Sequence, residues 1–165
     1  MAGPLLAWNG MDRRLIAVVC LVTLCGAAGP ANGASRTILA QRLVDEFVEL
    51  HPELAGLELA VAANGGCRTV AATAREDVGE LCDADELGPI RTGMPDVEAP
   101  SRHDPVYDIT QALHDANGEL VGAAGMDLKP APGASREAVL NHARTLLHEL
   151  ESRIPSKERL LQPAP

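Results

Sequence analysis

From Leu39 an apolar residue recurs every three or four positions: Leu39, Leu43, Phe47, Leu50 and Leu54, with Gln41, Arg42, Asp45, Glu46 and Glu49 on the other faces. That spacing predicts a helix with one buried stripe. Ser35 is a suitable N-cap. Pro52 disfavours helical backbone in its predecessor, so the helix is expected to end near His51. At Gly56 the period drops to two. Leu57, Leu59 and Val61 alternate with Glu58 and Ala60, which predicts a strand. Asn64-Gly65-Gly66 supplies residues that tolerate positive φ, and Cys67 to Thr73 is expected to return as the hairpin partner.

Residues 75–88 are acidic and polar, which predicts a loop with a short helix around Ala84-Asp85-Glu86-Leu87. Residues 89–105 carry Pro89, Gly93, Pro95, Pro100 and Pro105 and are expected to be mostly irregular, with a short strand near Asp96-Val97-Glu98. Val106 to His114 and Glu119 to Leu128 predict a second hairpin. The turn between them, Asp115-Ala116-Asn117-Gly118, has Asp first and Gly fourth, the pattern of a type I turn closed by a G1 bulge. After Ser135 a last helix places Val139, Ala143, Leu146, Leu147, Leu150 and Ile154 on one side. Pro155 ends it, and residues 156–165 are expected to be a frayed, flexible tail. The order helix, hairpin, crossover, hairpin, helix predicts an α+β domain: one antiparallel sheet flanked by a long N-terminal and a C-terminal helix.

Ahead of this domain Met11-Asp12-Arg13-Arg14 gives a basic start, and Leu15 to Ala28 carries no charge. Small residues follow from Gly26 to Ala34. This order is that of a secretory signal peptide. The apolar run of about 14 residues is short of the ~20 needed to span a bilayer. The organisation expected is a leader at 1–34 cleaved near Ala34, a domain at 35–155 and the tail. Translation starts at Met1 or Met11. An uncleaved anchor, or lipid attachment at Cys20 or Cys25, are the alternatives. The domain then lies in the periplasm or is secreted, with no second membrane span.

The chain has 14 basic and 23 acidic residues; without Arg13, Arg14 and Asp12 there remain 12 and 22, a net charge of −10. That surface repels nucleic acid and anionic lipid heads. Trp8, Phe47 and Tyr107 are the whole aromatic set, which also argues against base stacking. Only Cys67 and Cys82 follow the leader. In an exported chain such a pair reads as a disulfide, and closing a loop of roughly 15 residues contributes about 3 kcal/mol in the chain-entropy picture. Free buried thiols or half a metal site are the alternatives.

The segment Asp104 to Leu128, with Asp115-Ala116-Asn117-Gly118-Glu119-Leu120-Val121-Gly122-Ala123-Ala124-Gly125-Met126-Asp127, resembles the last hairpin of extracytoplasmic PAS-like sensor domains of the Cache or PDC family. The resemblance is specific over 104–128 and architectural over about 36–154. It implies a pocket on the sheet for a small polar metabolite, amine- or carboxylate-bearing. It also implies signalling through a partner. Family members usually pass the signal across the membrane to an output module, and this chain has no such module, so a separate membrane receptor is the expected partner.

The turn predicts a register. With Asp115 opposite Glu119, Leu113 faces Val121, Gln111 faces Ala123, Ile109 faces Gly125 and Tyr107 faces Asp127. Opposed residues share a sheet face, so Tyr107, Gln111 and Asp127 are expected to line a pocket floor opened by Ala123 and Gly125. Asp127 would accept from a ligand ammonium and Tyr107 would orient it. Arg91 and Arg68 are candidates to hold a ligand carboxylate.

His51, His103, His114, His142 and His148 are scattered, and no zinc, redox or haem motif is present. Ser101, His103 and Asp104 are too close in sequence to form a triad unaided. No enzymatic activity and no cofactor are expected. Two functions remain: a non-catalytic ligand-binding sensor domain, or a structural or interaction protein that uses the same fold without a ligand. An apolar stripe exposed on the first helix would favour the second.

Overall fold

A computed structural model of the chain describes residues 37–63 and 66–165. The expected leader at 1–34, Ser35 and the Asn64-Gly65 hairpin tip lie outside the described residues; the first helix is capped at Ile38 with no side-chain cap bond, so the expected cap at Ser35 is corrected.

Helix α1 (Leu39–Leu50) buries Leu39, Leu43, Val44 and Phe47. It ends at His51, whose N–H reaches the Phe47 carbonyl. The apolar stripe is shorter than its spacing suggests. Leu50 is 59% exposed, and Leu54 already belongs to the first strand. Pro52 forces the chain out of the helix between them, so Leu54 is buried from the sheet instead. Gln41, expected on a polar face, is buried. Its side-chain amide bonds both the carbonyl and the N–H of Ala72, which ties α1 to the sheet.

The strands are β1 (Leu54–Ala63), β2 (Gly66–Ala72), β3 (Asp96–Glu98), β4 (Tyr107–His114) and β5 (Leu120–Leu128), in the order β2-β1-β5-β4-β3. Every neighbouring pair is antiparallel. The protein is thus α+β, a five-stranded antiparallel sheet flanked by helices. Helix α3 (Arg136–Ser152) is capped by Ser135, whose hydroxyl accepts from the Ala138 N–H, and it buries Val139, Ala143, Leu146 and Leu150. One side of the sheet meets these helices through Leu57, Leu59, Ile109, Leu113, Met126 and Leu128, all nearly inaccessible to water.

Two parts of the chain are more ordered than their composition predicts. Helix α2 (Ala84–Thr92) runs through Pro89 rather than stopping near Leu87. Asp83 caps it in a reciprocal arrangement with Glu86, which satisfies free N–H groups at its start. Pro89 gives up one backbone bond but is the residue the helix buries. The tail, expected to be frayed, is docked. Helix α4 (Lys157–Leu160) buries Leu160, and the following residues bond back to the start of α1 (Leu39 N–H to Gln162 at 2.8 Å, Ala164 N–H to Thr37 at 2.9 Å). A single leucine inserted in the core outweighs a polar, proline-rich surrounding.

The second hairpin departs from its predicted register. The turn forms as expected, with Gly118 at φ 82° and the Asp115 carboxylate accepting from Asn117 and Glu119 N–H groups. Immediately beyond it His114 pairs with Leu120, but Leu113 pairs with Gly122. Val121 is therefore an extra residue, a bulge. Every later pair shifts by one: Gln111 faces Ala124, Ile109 faces Met126, Asp108 faces Asp127 and Tyr107 faces Leu128. The bulge allows Val121, Ala124, Met126 and Leu128 all to join the helix-side core. The plain ladder would have put Gly125 and Asp127 there and Met126 and Leu128 outside. Gly122 completes the adjustment. A Cβ at that position would sit 2.0 Å from the Ala60 carbonyl oxygen, so only glycine lets β5 approach β1 this closely.

Candidate acidic site on the open face of the sheet

Turning Met126 and Leu128 inward turns Asp127 outward. Tyr107 and Asp127 therefore lie on opposite faces, and the expected pairing of the two in one pocket is corrected. Tyr107 packs partly against the helix-side core. Gln111 is also on that side, 7% exposed, and its Nε2 has no hydrogen-bond partner among the described residues. Arg91 is exposed at the end of α2 and donates to the Leu87 carbonyl of its own helix at 2.9 Å. Arg68 is exposed on β2, where its guanidinium donates to the Gly79 carbonyl. Among the residues expected to bind a ligand, Asp127 lines a cavity on the open face of the sheet, and Tyr107, Gln111, Arg68 and Arg91 do not line it.

That cavity, about 330 Å³, lies between the open sheet face, the start of α2 and the segment 73–83. Its floor lies on two rows of cross-strand partners, of which Gly56, Glu58, Asp108, Thr110, Gly125 and Asp127 line it; Asp96 and Glu98, at the outer ends of the rows, line a small adjoining pocket with Asp85. Glu98, Asp108, Asp127 and Gly56 are successive cross-strand partners in one row. Asp96, Thr110, Gly125 and Glu58 form the next. Directly opposed like charges destabilise a sheet, and here two such pairs adjoin at Asp108. Gly56 makes room for the arrangement. A Cβ there would meet the Asp127 Oδ2 at 2.3 Å. Asp77, Asp83, Asp85 and Glu86 close the cavity from above.

Among the described residues no lysine, arginine or histidine lines this cavity. Burial and mutual repulsion make the carboxyls hold their protons more tightly than usual. Desolvation in the concavity pushes Asp108 up to about 6, although part of the residue stays open to solvent, and the charges of Asp127, Glu98, Asp85 and Asp104 add to the shift. Burial also raises Asp127, with a further push from Asp104. Burial raises Glu58 against the hydrogen bond it accepts from Thr69, helped by Glu86, Asp77 and Glu80. Burial raises Glu86 as well, against its bond to the Asp83 N–H. No three His, Cys, Asp or Glu side chains among the described residues are grouped to hold a metal ion.

Most of these carboxylates were invisible to the register taken from the turn. The signal that finds them is in β5 itself: the large apolar residues Met126 and Leu128 flank Asp127. Their shared parity places Asp127 opposite the core whatever the turn does.

The second expected feature is present. Cys67 and Cys82 are joined in a disulfide, with Cα atoms 5.2 Å apart. Cys67 is in β2 and Cys82 immediately precedes the α2 cap. Ser101 forms no triad; its hydroxyl accepts from the His103 and Asp104 N–H groups in a local turn. No helix among the described residues is long and apolar enough to cross a membrane.

No protein-family model matches the chain, and no curated protein matches it in sequence. Among solved structures it is similar to the GAF domain of a two-component sensor histidine kinase from Bacillus halodurans (TM-score 0.48, 11% identity, 68% of this chain and 91% of that one). It is similar also to the inducer-binding domain of the PobR transcription factor from Acinetobacter, solved with 3-hydroxybenzoic acid (0.40, 10%, 68% and 93%). A third is the type II free methionine-R-sulfoxide reductase from Thermoplasma acidophilum (0.39, 14%, 70% and 92%). At TM-scores below 0.5 these likenesses carry no argument about what this chain binds or does.

Proposed function

We propose that this protein is a non-catalytic, PAS-like sensor-type domain that binds a small amine-bearing cation in the acidic cavity. The observation that carries the proposal is the opposed pair Asp108–Asp127 in a cavity covered by α2, with Glu98 next to Asp108 in the same row and no basic residue lining the space. A fold selected for stability alone has no reason to oppose like charges across three strands. A ligand ammonium removes that repulsion and supplies the missing donors. The cavity volume suits a ligand of metabolite size. Asp108 and Asp127 would hold the amine from the floor, and Glu86 and Asp83 from the helix. Arg68 and Arg91 take no part, so a ligand carboxylate, if present, would point to solvent.

The same reading places the domain outside the cytoplasm, exported by the segment at 1–34 and relaying occupancy to a membrane receptor. The disulfide and the leader-like pattern support that location. Helix α1 exposes Leu50 but no apolar stripe, which leaves the ligand-free interaction role without its expected surface.

Titration calorimetry with 1,4-diaminobutane at pH 7.5, beside succinate as a dianion of similar length, tests the site. Saturable binding of the diamine alone, lost in Asp127→Asn, is the expected result. Binding of succinate, or no effect of Asp127→Asn, would remove the amine assignment. Intact-mass analysis of the extracytoplasmic fraction checks export, with a chain beginning near Ser35 expected.

A further inference from the structure

The cover of the acidic cavity lies against β4 and β5 but buries little apolar surface. Helix α2 buries Pro89, and the short helical turn Arg75–Asp77 buries nothing. By contrast α1 buries six residues, counting Gln41 and Ala40 with its apolar stripe. Backbone bonds join the segment ahead of α2 to β2: Gly79 N–H to Thr69 at 2.9 Å, Thr69 N–H to Glu80 at 3.0 Å and Cys82 N–H to Cys67 at 3.1 Å. An exposed ion pair, Arg75 to Asp45, links it to α1. Exposed pairs of this kind contribute little, and segments with few buried apolar contacts open locally at low cost. The strongest tie between cover and sheet is the covalent one, Cys67–Cys82. It ends one residue before Asp83, which both caps α2 and lines the cavity. The disulfide is also reachable: both cysteines line an open apolar groove with Leu81, Leu87 and Ile90 on the outer side of the cover.

We propose that this disulfide is a reducible latch: reduction by a dithiol frees the segment 75–92, opens the cover and weakens ligand binding, while the sheet and the helix-side core stay folded. In chemical terms one thiolate of the dithiol attacks the Sγ of Cys82, the less buried cysteine. The Cys67 thiolate leaves. The second thiol of the reductant then attacks the mixed disulfide and releases Cys82. The protein gains two electrons and two protons as two thiols, and the dithiol becomes a disulfide. Ligand control by the latch rests on the amine site proposed above; the opening itself does not.

Hydrogen exchange by mass spectrometry on the full chain, oxidised and after treatment with dithiothreitol, tests the opening. Calorimetry with 1,4-diaminobutane on the same two samples tests the coupling. Amides of 75–92 should exchange at least about tenfold faster after reduction, with β4, β5 and α3 unchanged, and the diamine should bind about tenfold more weakly. Cys67→Ser/Cys82→Ser should reproduce the reduced state without reductant. Unchanged exchange in 75–92 would overturn the latch. So would uniform loss of protection across the chain, which would make the bond a staple of the whole domain. Local opening with unchanged diamine affinity would overturn its control of the site. If the oxidised chain binds no diamine, the amine site fails, and the exchange data alone judge the latch.

Discussion

The two faces of the sheet use the same strands for opposite ends. Along β1, β4 and β5 one face presents Leu57, Leu59, Ile109, Leu113, Met126 and Leu128 to α1 and α3, and these side chains are all but inaccessible to water. The other face presents Glu58, Asp108, Thr110, Gly125 and Asp127 to a nine-residue helix that buries one proline. The first face stabilises the fold by apolar burial. The second opposes like charges and holds them partly desolvated, which lowers stability. The contrast teaches that the domain's stability and its candidate chemistry are separable by residue parity, one strand position apart.

The sharpest way to break this comparison is on the apolar face. Phe47→Ala leaves a cavity under α1 and should cost about 3–5 kcal/mol in urea unfolding. A loss below about 1 kcal/mol would mean that the helix-side core is not where stability resides. Gly56→Ala should cost less, about 1–3 kcal/mol, because the new methyl meets the Asp127 carboxylate. The double variant Gly56→Ala/Asp127→Ala should recover most of that loss, and a double-mutant cycle measures the recovery. No coupling between the two positions would place the Asp127 side chain elsewhere.

On the acidic face the expected sign reverses. Asp108→Asn should raise stability at pH 7.5 by up to about 1 kcal/mol while weakening diamine binding. It should also remove a pH dependence. Asp108 has its ordinary value of 3.8 when unfolded and about 6 when folded. Between those values the folded state binds more protons than the unfolded one. Its contribution to stability is therefore fullest below about pH 3.8 and is lost as the pH rises through 6. Urea unfolding of the parent chain from pH 4 to 8 should show this decline superimposed on the other groups, and Asp108→Asn should flatten it. Diamine binding should move the other way, strengthening through pH 6 as the carboxyls ionise. Smallest of all, Arg91→Ala should leave diamine affinity unchanged, since its side chain bonds its own helix and does not line the cavity. A tenfold change would return Arg91 to the site.

How far residues alone lead is clearest in the second hairpin. Asp115 and Gly118 announce the turn because their chemistry is local: a carboxylate that accepts nearby N–H groups and a residue at ease with positive φ. The helices α1 and α3 and the alternation in β1 are legible for the same reason, as is the α+β order. Helix α2 is legible only in its first turn, because its stop signal, Pro89, is the residue the tertiary structure chooses to bury. The docked tail is not, because nothing near Leu160 tells that α1 and the sheet leave a place for it.

By itself, then, the amino-acid sequence determined the helices α1 and α3, the first turn of α2 and the strands, that the two hairpins run antiparallel, and that Cys67 and Cys82 are the two cysteines free to pair in the domain. The tertiary structure decided which residues meet. A single extra residue at Val121 reverses every side chain between it and the end of β5, and its position follows from burying Met126 and Leu128 rather than from the turn. The same reversal carried Asp127 away from Tyr107 and set it against Asp108 and Gly56. Turn propensity acts over four residues, while the apolar area that fixes the register is summed over two helices and three strands, and the larger sum prevailed.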